Sequence, residues 1–160
     1  MDSNLKDKVG KSLGRIPSGV GILTTQQNDQ AQAMLASWFQ QASFEPPMVS
    51  VAIKKGRPVE EILQSSEVFV LNILHTGQKD MLAHFGRGFD PGQDPFAGVE
   101  IERQVTGAPI LKHSLCYLEC RLRHCYDSGD HHLFVGEIVN AGAEEDGQPM
   151  VHLRRNGFNY

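Results

Sequence analysis

Three short stretches hold residues able to do chemistry. Lys54-Lys55-Gly56-Arg57-Pro58 sets three cations and a glycine directly before a helix expected to begin at Pro58. The open N–H groups of a helix start, its dipole and a guanidinium would together hold an anion such as a phosphate. A solvated basic turn has the same composition. Ala36-Ser37-Trp38-Phe39-Gln40-Gln41 carries the single tryptophan among small residues and side-chain amides. Small neighbours let a flat ring approach the backbone, and amides can address its polar edge; a lone tryptophan is also commonly core. Gly129-Asp130-His131-His132 places histidine on an expected turn, where it could orient a substrate or shuttle a proton, although an exposed turn histidine is the commoner case.

His113, Cys116, Cys120 and Cys125 invite a metal reading. The strand pattern around them argues against it. Cys116 and Cys120 share an apolar face about 13 Å apart along a strand, whereas zinc needs each sulfur about 2.3 Å away. Free cysteine is a common small core residue, so no metal site is expected. No GxGxxG follows a strand, and no Walker phosphate loop, HExxH or GxSxG occurs. A bound nucleotide would not be held in the Rossmann manner.

The elements that must position these residues are mostly strands. Leu5, Val9 and Leu13 predict a short amphipathic helix over Ser3 to Leu13, capped by Ser3 or Asn4 and ended by Gly14 and Ile16-Pro17-Ser18-Gly19. Val20 to Thr25 and Ala31 to Phe39 read as strands around the polar turn Gln27-Asn28-Asp29-Gln30. Met48 to Ile53 and the doubly buried run Val68 to Leu74 follow the same logic. Cys116 to Arg123 alternates: Cys116, Leu118, Cys120 and Leu122 on one face, with Tyr117, Glu119, Arg121 and Arg123 on a wet one. Leu133 to Val139 pairs with it through the turn at Asp127-Ser128-Gly129-Asp130. Pro58 to Ser65 and Gln78 to Phe85 are expected short helices. Gly86 to Gly98, with Phe89, Pro91, Pro95 and Phe96, reads as a long loop of the functional kind. Strands outnumber helices, which favours a closed or partly closed antiparallel barrel over a doubly wound parallel sheet.

Composition narrows the class. At about 150 residues per domain, 160 residues leave room for one domain, 1–160. Fifteen Lys and Arg against 19 Asp and Glu give a net charge of −4, which offers no basic excess for nucleic acid. The apolar runs fall well short of the ~20 residues a membrane helix needs. Three cysteines and no visible secretory signal fit a cytoplasmic protein.

Ser37-Trp38-Phe39-Gln40-Gln41-Ala42-Ser43-Phe44-Glu45-Pro46-Pro47 resembles the S-W/F-x-x-x-S-x-D/N-P-P segment of the flavin reductase-like FMN-binding split barrels. Lys55-Gly56-Arg57, Phe69 to Leu74, Pro109-Ile110-Leu111, Leu118-Glu119-Cys120 and Gly129-Asp130-His131 with Val135-Gly136-Glu137 have counterparts there in the same order. The likeness is strongest to the C-terminal flavin reductase module of cyanobacterial diflavin flavodiiron proteins. It shares Ala33-Met34-Leu35-Ala36-Ser37-Trp38, Gln41 to Phe44 and the ending Gly157-Phe158-Asn159-Tyr160. The resemblance implies a mainly β, antiparallel Greek-key split barrel with a few peripheral helices, a homodimer, bound FMN, and NAD(P)H as hydride donor. It would lay Leu35, Ala36, Ser37, Trp38, Phe39 and Gln40 along the isoalloxazine, mostly through backbone. Lys54, Gly56 and Arg57 would meet the phosphate, and His131, the candidate catalytic residue, would sit near the nicotinamide. The loop with Phe89 and Phe96 would pack near the flavin or the dimer interface. Gln40 stands where many relatives have Thr or Ser, and Trp38 where two-component reductases have a small residue. An aromatic there suits a retained cofactor. The implied activity is an NAD(P)H:FMN oxidoreductase. The alternative is a flavoredoxin-like FMN electron-transfer module reduced by a partner protein. A flavodiiron or other electron-accepting partner fits either.

Overall fold

The computed structural model describes residues 1–90, 92–143 and 146–159; Pro91 and Tyr160, quoted above, lie outside them. Helix α1 (Ser3–Leu13) precedes β1 (Ser18–Gly19), β2 (Gly21–Gln27), β3 (Gln30–Ala36), β4 (Phe39–Phe44) and β5 (Pro47–Lys54). Then come α2 (Pro58–Ser66), β6 (Val68–Ile73) and α3 (Lys79–Gly86). The remainder holds β7 (Ile101–Glu102), β8 (Ile110–Leu111), β9 (Cys116–Ser128), β10 (His131–Ala143) and β11 (Val151–His152). The cap of α1 is Asp2, whose carboxylate accepts from Leu5 N–H (2.9 Å), one residue before the expected Ser3 and two before Asn4.

Seven strands make one antiparallel sheet in the order β3-β2-β6-β9-β10-β5-β4. The order puts β3 and β4 at opposite ends, although only Ser37 and Trp38 separate them in the chain. Successive Cα atoms are about 3.8 Å apart, so Ala36 and Phe39 lie within about 11 Å of each other. The sheet must curl until its edges nearly meet. At that seam Ala52 N–H donates to the Trp38 carbonyl (2.9 Å). The result is a mainly β split barrel with a few helices. The single strand expected from Ala31 to Phe39 is therefore two strands. Its pattern stays continuous through Ser37 and Trp38 because side-chain periodicity carries no information about which neighbour a strand pairs with.

Inside the barrel, Leu23, Val51, Ile53, Phe69, Leu71, Cys120 and Phe134 form one cluster, and α2 contributes Val59 and Leu63 to it. At about 1.5–3 kcal/mol for each large apolar side chain fully buried, this pair is enough to hold a nine-residue helix that would be marginal in water. A second cluster joins Val20, Ile22 and Leu74 to Phe85 of α3, Phe96 of the following loop and Met150. Asn72, fully buried within the apolar run of β6, is satisfied: Nδ2 donates to the Ile22 carbonyl (3.1 Å) and Oδ1 accepts from Leu111 N–H (2.8 Å).

The face of β9 expected to be wet is only half so. Arg121 and Arg123 are exposed, but Tyr117 and Glu119 are buried. The segment from Gln104 to Ala108 folds over them. Val105 N–H (3.2 Å), Thr106 N–H (2.8 Å), Thr106 Oγ1 (2.6 Å) and Asn140 Nδ2 (2.6 Å) all donate to the Glu119 carboxylate. Tyr117 OH donates to Gln104 Oε1 (3.1 Å). Burial pushes the Glu119 carboxyl up, but the bonds from the Thr106 and Asn140 side chains and from the Thr106 and Val105 backbone outweigh it. They hold the group below the ordinary carboxylate range.

A carboxyl whose pKa is lowered on folding contributes its full stability above the unfolded value, about 4.3, and loses it as pH falls through the lower folded value. Glu119→Gln should cost about 1–3 kcal/mol near neutral pH. Urea unfolding should show the gap between native and variant narrowing as pH drops below about 4. A gap independent of pH would mean that the charge of Glu119 is not what fastens residues 104–108.

Candidate functional site

A cleft of about 770 Å³ opens along the seam, within the range of small-molecule sites. β3 lines it with five consecutive residues, Gln32, Ala33, Met34, Leu35 and Ala36. Successive strand side chains point to opposite faces, so an unbroken run means that the strand presents its edge. β3 is the terminal strand of the sheet, and the outward N–H and C=O groups of such an edge are a template for pairing. β5 lines the cleft differently, with Ala52 and Lys54, two residues apart and on one face. Ser37 and Trp38 complete the corner, and Arg57, Pro58 and Val59 bring in the start of α2. Leu82, Phe85 and Gly86 of α3 and the loop residues Arg87, Phe89, Asp90 and Gln93 close it.

Most of the expected residues meet here. Leu35, Ala36, Ser37, Trp38, Lys54 and Arg57 all line the cleft. Phe39, Gln40, Gly56 and His131 lie outside the lining. The Phe39 ring packs so closely on Gly19 that a Cβ there would come within 2.7 Å of it. Gln40 is exposed on β4. Gly56, at φ +79°, donates its N–H to Glu60 Oε2 (2.7 Å). The loop behaves as two pieces: Phe89 lines the cleft and meets Phe85 at 5.8 Å between ring centroids, while Phe96 is buried in the second core cluster.

His131 and His132 belong to a strand, not to a turn. The hairpin closes on Gly129, at φ +66°, and Asp130, and β10 begins at His131. Alternation then sends the two histidines to opposite faces. His131 pairs across from cleft-lining Lys54 and lies against the Trp38 ring, centroids 4.9 Å apart. His132 pairs across from core Ile53 and turns inward to Glu60 of α2. His131 Nδ1 is 2.8 Å from Asp130 Oδ1, and this bond foremost holds the Asp130 carboxyl below its ordinary value. An ionised Asp130 can only accept, so His131 Nδ1 carries the proton. Among the described residues no group of His, Cys, Asp and Glu is gathered as for a metal ion.

A family model described as the flavin reductase like domain matches residues 13–159. The chain belongs to that family. Diflavin flavoprotein A 1 of Synechocystis sp. is 41% identical over 162 residues, covering 100% of this chain and 28% of its own length. This flavin reductase-like chain thus spans little more than a quarter of that relative. The NADH:FAD oxidoreductase of Streptomyces globisporus C-1027 superposes with a TM-score of 0.83 at 28% identity, over 92% of this chain and 87% of that one. The same oxidoreductase in complex with NAD and FAD fragments gives 0.79 at 27% identity, over 88% and 84%.

The cleft has parts that sequence reasoning missed. Gln32 and Met34 enter through the edge geometry of β3, which no side-chain pattern encodes. Arg87 was signalled by Gly86-Arg87-Gly88, a cation between two glycines. His152 lines the cleft, and Arg154 stands over the Trp38 ring at 4.9 Å; both come from a polar C-terminal stretch without periodicity. Arg154 is held from behind. Its Nη1 donates to the Gly157 carbonyl (3.1 Å), and Gly157 N–H donates to Gly10 of α1 (2.7 Å). A Cβ on Gly157 would fall 2.1 Å from that of Leu13.

Gly157→Ala should therefore push the C-terminal segment off α1 and draw Arg154 away from Trp38. Because Trp38 is the single tryptophan, its emission should shift to longer wavelength as water replaces the guanidinium. An unshifted spectrum would show that α1 does not hold Arg154 in place.

Proposed function

We propose that the chain, residues 1–160, is one FMN-binding domain acting as an NAD(P)H:FMN oxidoreductase. The observation that carries this reading is the seam cleft itself, which joins a free strand edge to a pair of cations. A flavin has the matching parts: a flat ring with a donor and acceptor edge, and a phosphate on a flexible tail. The edge of β3 suits the first and Lys54 with Arg57 suits the second. Arg57 strengthens the case by where it stands. It is the N-cap of α2, makes no capping bond through its side chain, and sits at the positive end of the helix dipole. A cation there is unfavourable by some tenths of a kcal/mol unless an anion shares the place.

FMN supplies the redox chemistry when bound, taking a hydride from NADH or NADPH. The chain's residues bind and orient. Lys54 and Arg57 fix the phosphate, the β3 backbone fixes the ring plane, and Leu82, Phe85 and Phe89 keep water from the ring. His131, its tautomer set by Asp130, orients the nicotinamide. The NAD and FAD fragments bound by the Streptomyces neighbour support a nicotinamide donor. The exposed apolar side chains Phe44, Leu153 and Val151 support a homodimer. The diflavin relative supports delivery of electrons to a flavodiiron or other accepting protein. A cytoplasmic setting is supported by the three free thiols, and among the described residues no helix is long and apolar enough to cross a membrane.

One observation favours the electron-transfer module. Trp38 is engaged by Arg154 and His131, which makes it a poor platform for a second ring to stack on. The two readings separate in one experiment. NADH and NADPH oxidation is followed while FMN is added stepwise, and the rate should saturate at one FMN per chain. A rate still climbing with excess FMN would make flavin an exported product. Bound FMN without oxidation would establish the electron-transfer module, and no FMN binding would overturn both readings. His131→Ala should raise the NAD(P)H KM about tenfold and change kcat by less than about threefold. An unchanged KM would remove His131 from the site.

A further inference from the structure

We propose that Glu60 is a positioning residue for the anion-binding turn. Its carboxylate, anchored by His132 of β10 and bonded to Gly56 N–H, fixes the turn that presents Lys54 and Arg57. The inference rests on the proposed phosphate role of those two cations.

Glu60 is a buried acid, 8% exposed, with both oxygens committed. Oε2 accepts from Gly56 N–H (2.7 Å), and Oε1 is hydrogen-bonded to His132 Nδ1. Glu60 is the third residue of α2, the position from which a capping-box glutamate reaches back to the N-cap N–H; here it reaches one residue further, to Gly56. The reciprocal bond of such a box is missing, because an arginine occupies the N-cap position. Glu60 thereby ties down the turn before the helix, while Arg57, which makes no capping bond through its side chain, lines the cleft. His132 faces Asp127 through its other nitrogen (3.8 Å), and Asp127 is bonded to Lys55 Nζ (2.6 Å). Lys55 N–H in turn donates to the Asp130 carbonyl (3.0 Å). The turn is thus tied at several points to the β9–β10 hairpin.

Charge alone predicts the opposite of positioning. A carboxylate beside an anion site repels the anion, so removing it should tighten FMN. If Glu60 positions the turn, removing it should loosen FMN. Riboflavin, which lacks the phosphate, serves as the internal reference. The Kd values of both flavins are measured for the native chain, Glu60→Ala, Glu60→Gln and Arg57→Ala.

Glu60→Ala should weaken FMN about tenfold, one lost charge-assisted hydrogen bond being of that order, with riboflavin changed less than about twofold. Glu60→Gln keeps an acceptor for Gly56 N–H and should recover most of the loss, although the charge is gone in both variants. Glu60→Ala with tighter FMN, or with an unchanged FMN-to-riboflavin ratio, overturns the proposal while a lowered ratio in Arg57→Ala leaves the phosphate reading standing. An unchanged ratio in Arg57→Ala overturns the phosphate reading and the proposal with it. If Glu60→Ala does not fold, His132→Gln decides, since it loosens the anchor but keeps the carboxylate. A selective FMN loss there supports the proposal, and an unchanged ratio overturns it.

Discussion

Ser37 and Trp38 carry the chain from one end of the sheet to the other, and the site follows from that two-residue crossing. With β4 committed to β5, nothing in the sheet can cover the outer edge of β3. An uncovered edge is a liability, because its backbone groups will pair with any strand that arrives. Here the edge is walled by α2, α3 and the loop after α3, which leave a cleft and not a continuous surface. A ligand with donors and acceptors along one side takes up the pairing capacity that a foreign strand would otherwise use. The proposed binding and protection from aggregation would be two consequences of the same geometry.

Strand alternation does the second half of the work. His131 and His132 are neighbours in sequence, yet one meets Trp38 at the seam and the other meets Glu60 against the barrel interior. Both are registered by the same pairing to β5, His131 to Lys54 and His132 to Ile53. A slip of one residue would exchange them, putting an imidazole without its acidic partner into the core. The continuous register of β5 against β10 therefore puts the cation from β5 and the imidazole from β10 on one face by construction.

Local patterns made much of this legible. The first helix, the hairpin between β2 and β3, the doubly buried β6 and the β9–β10 hairpin were all readable, because each is decided by residues close in sequence. The start of α2 at Pro58, directly after the basic turn, was readable for the same reason. What stayed hidden depends on distant partners. The end of β3 at Ala36 is dictated by the need to reach β5, not by anything in residues 31–39. The burial of Glu119 is dictated by residues 104–108 crossing β9, and no alternation within β9 could reveal it. The resemblance gives Gly56 to the phosphate, whereas its N–H is taken by Glu60, four residues on. A glutamate at the third position of a helix is the available signal, and an arginine at the N-cap position masks it.

The contact between Arg154 and Trp38 shows why the chain's ends matter to the corner. A cation over an indole contributes about 0.5–1 kcal/mol when exposed and about 2 when desolvated. Arg154 Nε is buried without a hydrogen-bond partner among the described residues, which costs about 1–3 kcal/mol. The two nearly cancel, so the pairing cannot hold itself. What holds it is the packing behind: Gly10, Gly14 and Gly157 let α1 and the final segment approach closer than any side chain would allow. Lys6 lies over the Phe158 ring at 5.7 Å on the same side. The tryptophan of the two-residue crossing is thus braced by the first helix of the chain and its last segment together. Helix α1, which makes no part of the cleft, is in this sense an element of the site.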